Sequence, residues 1–232
     1  MVAVIVLSVL AGGVPPSWLS LPGVHRALDV TPVLIELDAG PEGPVLTIPV
    51  VHGEAGDPAV ESMNAALSWE SLTGQPLEET LAIYQEMQCG YVGADFTVNC
   101  NDGGILDITV TIEFLGAYPS TSRQYFCFVS ATGGRLSMRE LLPDGSEAEL
   151  AAILDGMLQE NIDETRRTWD DLDSGMYDGF TFTVEDLEKF SIVEDGIWFH
   201  YDFGFPHIAL AAEPEGDLFM PAEEILPFLA ME

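Results

Sequence analysis

The stretch ILDITVTIEF, residues 105–114, reads as a strand with two unlike faces. Leu106, Ile108, Val110, Ile112 and Phe114 alternate with Asp107, Thr109, Thr111 and Glu113. A period of two sends these sets to opposite sides of a pleated sheet. One side packs on a core and the other meets water, which is the pattern of an antiparallel sheet. Just upstream, NDGG at residues 101–104 offers glycines that tolerate positive φ, so a tight turn links this strand to another expected over 95–100. Downstream, a third strand is expected over 124–130, then a turn at Gly133 and Gly134 and a short strand at 136–138. Together these form an antiparallel meander.

Outward from the meander, the runs VLIEL (33–37) and VLTIPVV (45–51) are β-branched and separated by a Gly- and Pro-rich connection, which predicts a hairpin or two early strands. Asp57 before Pro58 predicts a helix start, with Val60, Met63 and Leu67 on one face up to about Trp69. A second helix is expected over 77–87. Ser146 and Glu149 have capping-box spacing, and Leu150, Ile153, Leu154, Met157, Leu158 and Ile162 continue a helical apolar face. Thr183 and Asp186 predict a brief helix. Strands at 190–194 and 197–203 join through Asp195 and Gly196, and a strand at 218–220 precedes a last helix opened by Pro221. The expected class is α+β, with antiparallel sheets of hairpins and meander packed against two or three amphipathic helices.

The chain of 232 residues is 47% apolar, enough to bury a core, and its 39 Asp and Glu against 7 Lys and Arg give a formal charge of -32. Nucleic acid is excluded as a partner, because no basic surface exists to displace counterions from phosphates. Anionic membrane surfaces are disfavoured for the same reason, whereas a cationic protein is attracted at long range. An acidic surface also serves solubility alone.

Residues 1–24 carry no charged side chain. The run VAVIVLSVLA (2–11) is too short to span a bilayer, for which about 20 residues are needed. It is expected to be an apolar anchor or signal-like segment, although no positive residue precedes it, and the competing reading is a buried strand. Export is therefore expected, extracytoplasmic and either membrane-anchored or secreted, with the membrane touched only through this N-terminal segment. Cys89, Cys100 and Cys127 are an odd count without C-x-x-C spacing, so neither a zinc site nor a redox motif is present, and a disulfide between two of them stays open.

The residues for catalysis are sparse. No two of His25, His52, His200 and His207 stand at i, i+4, so no zinc-hydrolase helix is encoded. His200 and Asp202 share a strand face, the start of an acid/base pair, but no nucleophile motif accompanies them. Asp170, Asp171, Asp173 and Asp178 do not match a calcium loop, because Gly175 and Met176 fall at the third ligand and glycine places. No metal, no cofactor and no enzymatic activity are expected.

Over residues 45–229 the order of elements resembles a paired-domain family. It is found in the extracytoplasmic part of the anti-sigma-V factor RsiV and in the non-catalytic N-terminal part of the peptidoglycan deacetylase PdaC. The resemblance rests on a proline-bearing strand (46–50) before a helix carrying Asn64, and on the turn Gly116, Ala117, Tyr118, Pro119. It continues with Tyr125, Phe126 and Phe128 leading into Thr132, Gly133, Gly134, Arg135 and Leu136, then Glu140, Leu141 and Leu142. It closes with Phe180, Asp195, Gly196, Ile197, Trp198, Phe199, Ile208, Ala209, Phe219, Met220 and Pro221. The chain departs from the family around Ile208 and Ala209, where Pro206 stands before them and Leu210 and Ala211 after.

The resemblance implies a PdaC-like subdomain at 25–130, an RsiV-like subdomain at 131–232 and a receptor for a cationic protein such as lysozyme. A cell-wall glycan is the other expected partner, met by an accessory module of a deacetylase system. The partner surface it implies comprises Tyr118 and Pro119 in one turn, and Phe205, Pro206, His207 and Ile208 in the loop 203–212. No sigma-binding segment precedes Val2 and no deacetylase domain follows Glu232 in this sequence, so either the chain starts upstream or it is a free-standing envelope protein.

Overall fold

β-Branched runs supply the first three strands, β1 (Val4–Val6), β2 (Asp29–Glu36) and β3 (Val45–His52). β2 and β3 pair antiparallel in unbroken register from Asp29↔His52 to Glu36↔Val45, and β1 pairs with β2 through Val4↔Ile35. The structure is a computed structural model that describes residues 4–6, 18–21, 27–37, 43–169, 174–205 and 207–229, with the backbone alone at 4–6, 174, 207 and 208. The remainder of the apolar segment 1–24, His25, most of the 38–44 connection, and Asp170, Asp171, Asp173 and Pro206 lie outside the described residues.

Asp57 caps α1 (Pro58–Ala66) as expected, its carboxylate accepting from the Ala59 N–H at 3.0 Å. Trp69 does not continue that helix. Ser68 starts a new one, α2 (Trp69–Thr73), with its hydroxyl accepting from the Ser71 N–H, and α3 (Leu77–Met87) follows. These three helices form a crossover. It returns the chain to β4 (Gly90–Asp102), which lies parallel to β3 through the single pair Leu46↔Ala94. A parallel pair needs a connection of this length.

The meander completes the sheet. β4 and β5 (Ile105–Leu115) meet at the turn over Gly103 and Gly104, both at positive φ, and β5 pairs with β6 (Pro119–Val129) from Ile105↔Val129 to Leu115↔Pro119. The order is β1-β2-β3-β4-β5-β6. Leu106, Ile108, Val110 and Ile112 are buried against Leu46, Met63, Leu67 and Trp69. The alternation expected at 105–114 holds, but its polar face is not all wet. Asp107 is fully buried, with Cys100 and Cys127 directly across from it on either side, and it accepts a hydrogen bond from Asn99 Nδ2 at 2.7 Å.

The chain divides into two compact units, Met1–Leu136 and Ser137–Glu232. Residues 131–136 stay with the first because Arg135 bridges to Phe128 and the Leu136 N–H donates to the Cys127 carbonyl, where a short strand at 136–138 was expected.

The second unit contains α4 (Met138–Leu141), α5 (Glu147–Thr168), β7 (Phe190–Val193), β8 (Gly196–His200), β9 (Asp217–Pro221) and α6 (Ala222–Ile225). The sheet order is β7-β8-β9, antiparallel throughout. α5 forms where the apolar spacing places it, burying Leu150, Leu154, Leu158 and Ile162, while Ile153 turns outward at 41% exposure. Its expected capping box is absent. Ser146 Oγ donates to the Pro143 carbonyl, and the box is formed instead by Ser137 and Glu140 at α4. Among the described residues no helix is long and apolar enough to cross a membrane.

Candidate functional site

Two surfaces carry exposed side chains that packing alone does not require. In the first unit, residues 116–118 turn β5 into β6, and the Gly116 N–H donates to the Tyr118 carbonyl at 3.4 Å. Phe114 and Leu115 are consecutive apolar residues on a strand, so they point to opposite faces. Phe114 lies opposite Tyr91 and Leu115 opposite Gly90, whose missing side chain leaves Leu115 uncovered. Tyr118 and Met87 are each 66% exposed, Phe114 40% and Leu115 37%.

A fixed aromatic ladder backs this end of the sheet. Trp69, Tyr91 and Phe114 meet edge to face at 5.3 and 5.2 Å, a geometry that aromatic quadrupoles favour. Trp69 Nε1 donates to Thr80 Oγ1 at 2.9 Å and the Tyr91 hydroxyl to the Thr73 carbonyl at 3.1 Å. Carboxylates lie at this end of the sheet as well. Glu86 precedes Met87, and Glu113 lies over Gly93, where a Cβ would stand 2.6 Å from Oε2. Glu113 and Asp95 also line a shallow groove of about 270 Å³ with Val45, Thr47 and Thr111.

In the second unit, β7, β8 and β9 turn Phe190, Ile192, Phe199 and Leu218 inward. Their other face arrays Ser191, Trp198 and Phe219 in one row and Lys189, His200 and Asp217 in the next. His200 pairs with Asp217, not with Asp202. Its Nδ1 lies 2.7 Å from Asp217 Oδ1, and its Nε2 lies 3.1 Å from Ser191 Oγ. β8 ends at His200, and Asp202 instead accepts from the Gly204 N–H at 2.9 Å. A carboxylate, an imidazole and a hydroxyl in a row are the parts of an acyl-transfer triad. Ser191, however, is 3% exposed inside a regular strand, and the row forms a polar tie across β7, β8 and β9. Beside it the Trp198 and Phe219 rings stand 4.8 Å apart, and Phe219 lies over Gly196, where no Cβ obstructs it.

The residues expected to meet a partner separate accordingly. Tyr118 and Pro119 are exposed at the β5–β6 turn of the first unit. Phe205 belongs to the second unit, where its ring packs among Tyr177, Phe180 and Phe203 at 5.7 to 6.0 Å. His207 begins a 3₁₀ segment, His207–Ala212, that includes Ile208, and the Tyr177 hydroxyl ties its end by donating to the Ala212 carbonyl. Reading the sequence missed Met87 and Leu115 as surface residues, although two successive apolar side chains at 114–115 already require one of them to face outward.

Burial disfavours ionisation of the two inner thiols. Desolvation pushes Cys100 up to about 11 and Cys127 well above its ordinary value, and the Asp107 carboxylate adds to both. Desolvation also raises Glu213 and Tyr201. All three cysteines are free. Cys100 and Cys127 flank β5, so two strand spacings, about 10 Å, separate them, beyond the reach of a disulfide. Among the described residues no cluster of three metal-ligating side chains occurs.

Neither a family model nor a curated protein matches the chain in sequence. Solved structures do match in fold. A DUF3298 family member from Bacteroides fragilis NCTC 9343 superposes with a TM-score of 0.57 at 14% identity, covering 88% of this chain and 94% of that one. A DUF3298 family protein from Pseudomonas aeruginosa PAO1 gives 0.50 at 14% identity, covering 90% and 95%.

Proposed function

We propose, with this likeness of fold as the premise, that the chain is a non-catalytic binding domain displayed outside the cytoplasm that captures a cationic protein, lysozyme being the first to test. The observation that carries the reading is charge. The first unit holds 15 carboxylates against three arginines and the second 24 against four basic residues, so both present a strongly negative field. Such a field raises encounter rates with a cationic partner and repels polyanions. The resemblance to the RsiV and PdaC domains supports the same class, with a role as receptor in signalling. The buried Ser191 hydroxyl argues against acyl transfer.

A second reading, an accessory module that holds a deacetylase on cell-wall glycan, is favoured by one feature. Trp198 and Phe219 form a half-exposed aromatic pair beside Ser191, His200 and Asp217, and an aromatic surface with adjacent polar groups suits a sugar ring. Pull-down of the purified chain with immobilised lysozyme and, in parallel, with insoluble peptidoglycan separates the two. Retention on lysozyme at low salt and release at high salt is expected. Retention on peptidoglycan alone, unaffected by salt, would replace the first reading with the second. Protease treatment of intact cells tests display, and a chain cleaved only after lysis would remove the extracytoplasmic assignment.

A further inference from the structure

We propose that the β5–β6 end of the first unit is the docking surface for the cationic partner, with Met87, Leu115 and Tyr118 as its apolar centre and Glu86 and Glu113 as its charged rim. This rests on the binding reading above and gives it a place. Eight large apolar side chains are exposed among the described residues, and five of them, Val45, Met87, Phe114, Leu115 and Tyr118, belong to the first unit. Four of these five come from the last turn of α3, the end of β5 and the turn that follows, which the pairs Gly90↔Leu115 and Leu115↔Pro119 bring to one end of the sheet. Val45 lines the adjoining groove with Glu113. Phe114 and Leu115 leave opposite faces, so these groups lie around the end of the sheet and not on one face of it, and exposed apolar groups close together with polar ones beside them mark interaction surfaces.

The occupant follows from charge. A second copy of the chain would bring another -32 against the same rim, so self-association is opposed. A basic protein that presents an apolar projection between positive side chains satisfies both parts. The Trp69–Tyr91–Phe114 ladder holds the platform still, so little side-chain order is lost behind the contact. Apolar anchors of this kind set the lifetime of a complex, and rim charges set the rate of approach.

The test is biolayer interferometry of the full chain against lysozyme at two salt concentrations, with three variants at exposed positions and folding checked by circular dichroism. Leu115→Ser with Tyr118→Ser is expected to weaken binding about tenfold, mainly through faster dissociation. Glu86→Gln with Glu113→Gln is expected to slow association and flatten its salt dependence, leaving dissociation unchanged. Ile153→Ser, on the exposed side of α5 in the second unit, is expected to change neither rate. If the wild-type chain binds and the Leu115/Tyr118 variant binds within about twofold of it, the docking surface lies elsewhere and the binding reading stands. If the wild-type chain does not bind lysozyme, the reading and its surface fall together.

Discussion

Two asparagines satisfy backbone groups that no neighbouring strand reaches. β3 has β2 on one side, but on the other it meets β4 only at Leu46↔Ala94. At Val51 the Asn64 side chain takes the place of the missing strand, its Oδ1 accepting from the Val51 N–H and its Nδ2 donating to the Val51 carbonyl, both at 2.8 Å. Asn101 does the same for Leu28, at 2.8 and 2.6 Å. Removing either side chain strands a donor and an acceptor, each costing about 1–3 kcal/mol when buried. Asn64→Ala is accordingly expected to lower the unfolding free energy by about 2 kcal/mol in urea, and Asn64→Asp, which keeps only the acceptor, by less. The thiols give a second expectation at this scale. A folded value near 11 for Cys100 against an ordinary 9.0 means the unfolded chain loses that proton first. The associated stability is intact below pH 9 and is lost as the pH rises toward about 11, which urea titrations at pH 8 and pH 10.5 measure. Asn64 stood out in the sequence only for its place on a helix. Its role depends on which strand residue lacks a neighbour, and that is a tertiary fact.

Among elements, legibility followed the range of the forces involved. The alternation in β5 and the apolar stripe of α5 are periodic over many residues, and both elements formed as read. Single-residue signals were less faithful. Ser146 and Glu149 have the spacing of a capping box, but Ser146 has helical φ and ψ and bonds backwards to Pro143, whereas the equally spaced Ser137 and Glu140 form the box. The parallel placing of β3 beside β4 is set by packing of the crossover helices on the sheet, and no local pattern announces it. One glycine does show its reason in the structure. Gly133, at φ +68°, presses so closely on the start of α1 that a Cβ would lie 2.1 Å from the Ala59 carbonyl oxygen, and Ser62 Oγ donates to the Gly133 carbonyl. Backbone cannot yield as a flexible side chain can. Gly133→Ala is expected to cost about 3 kcal/mol or more, combining overpacking with a disfavoured φ, and to appear as a lowered thermal midpoint. Gly145→Ala, with φ +87° but open space around it, isolates the conformational part and is expected to cost about 1 kcal/mol.

At the scale of the molecule, composition alone conveyed the dominant property. The charge of -32 needs no fold to be read, and it opposes polyanionic partners before any element is placed. Of the proposed docking surface, the sequence marked Tyr118 beside Pro119 in their turn, while Met87 and Leu115 reach the same end of the sheet only through the fold. Phe205, marked equally by sequence, spends its ring within its own unit. Capture by long-range attraction is measured by comparing native lysozyme with succinylated lysozyme, whose lysine charges are inverted. Stopped-flow association rates with the full chain are expected to fall steeply as salt rises for the native protein, and no complex is expected with the succinylated one. Equal binding of both proteins, or an association rate indifferent to salt, would rule out capture by charge.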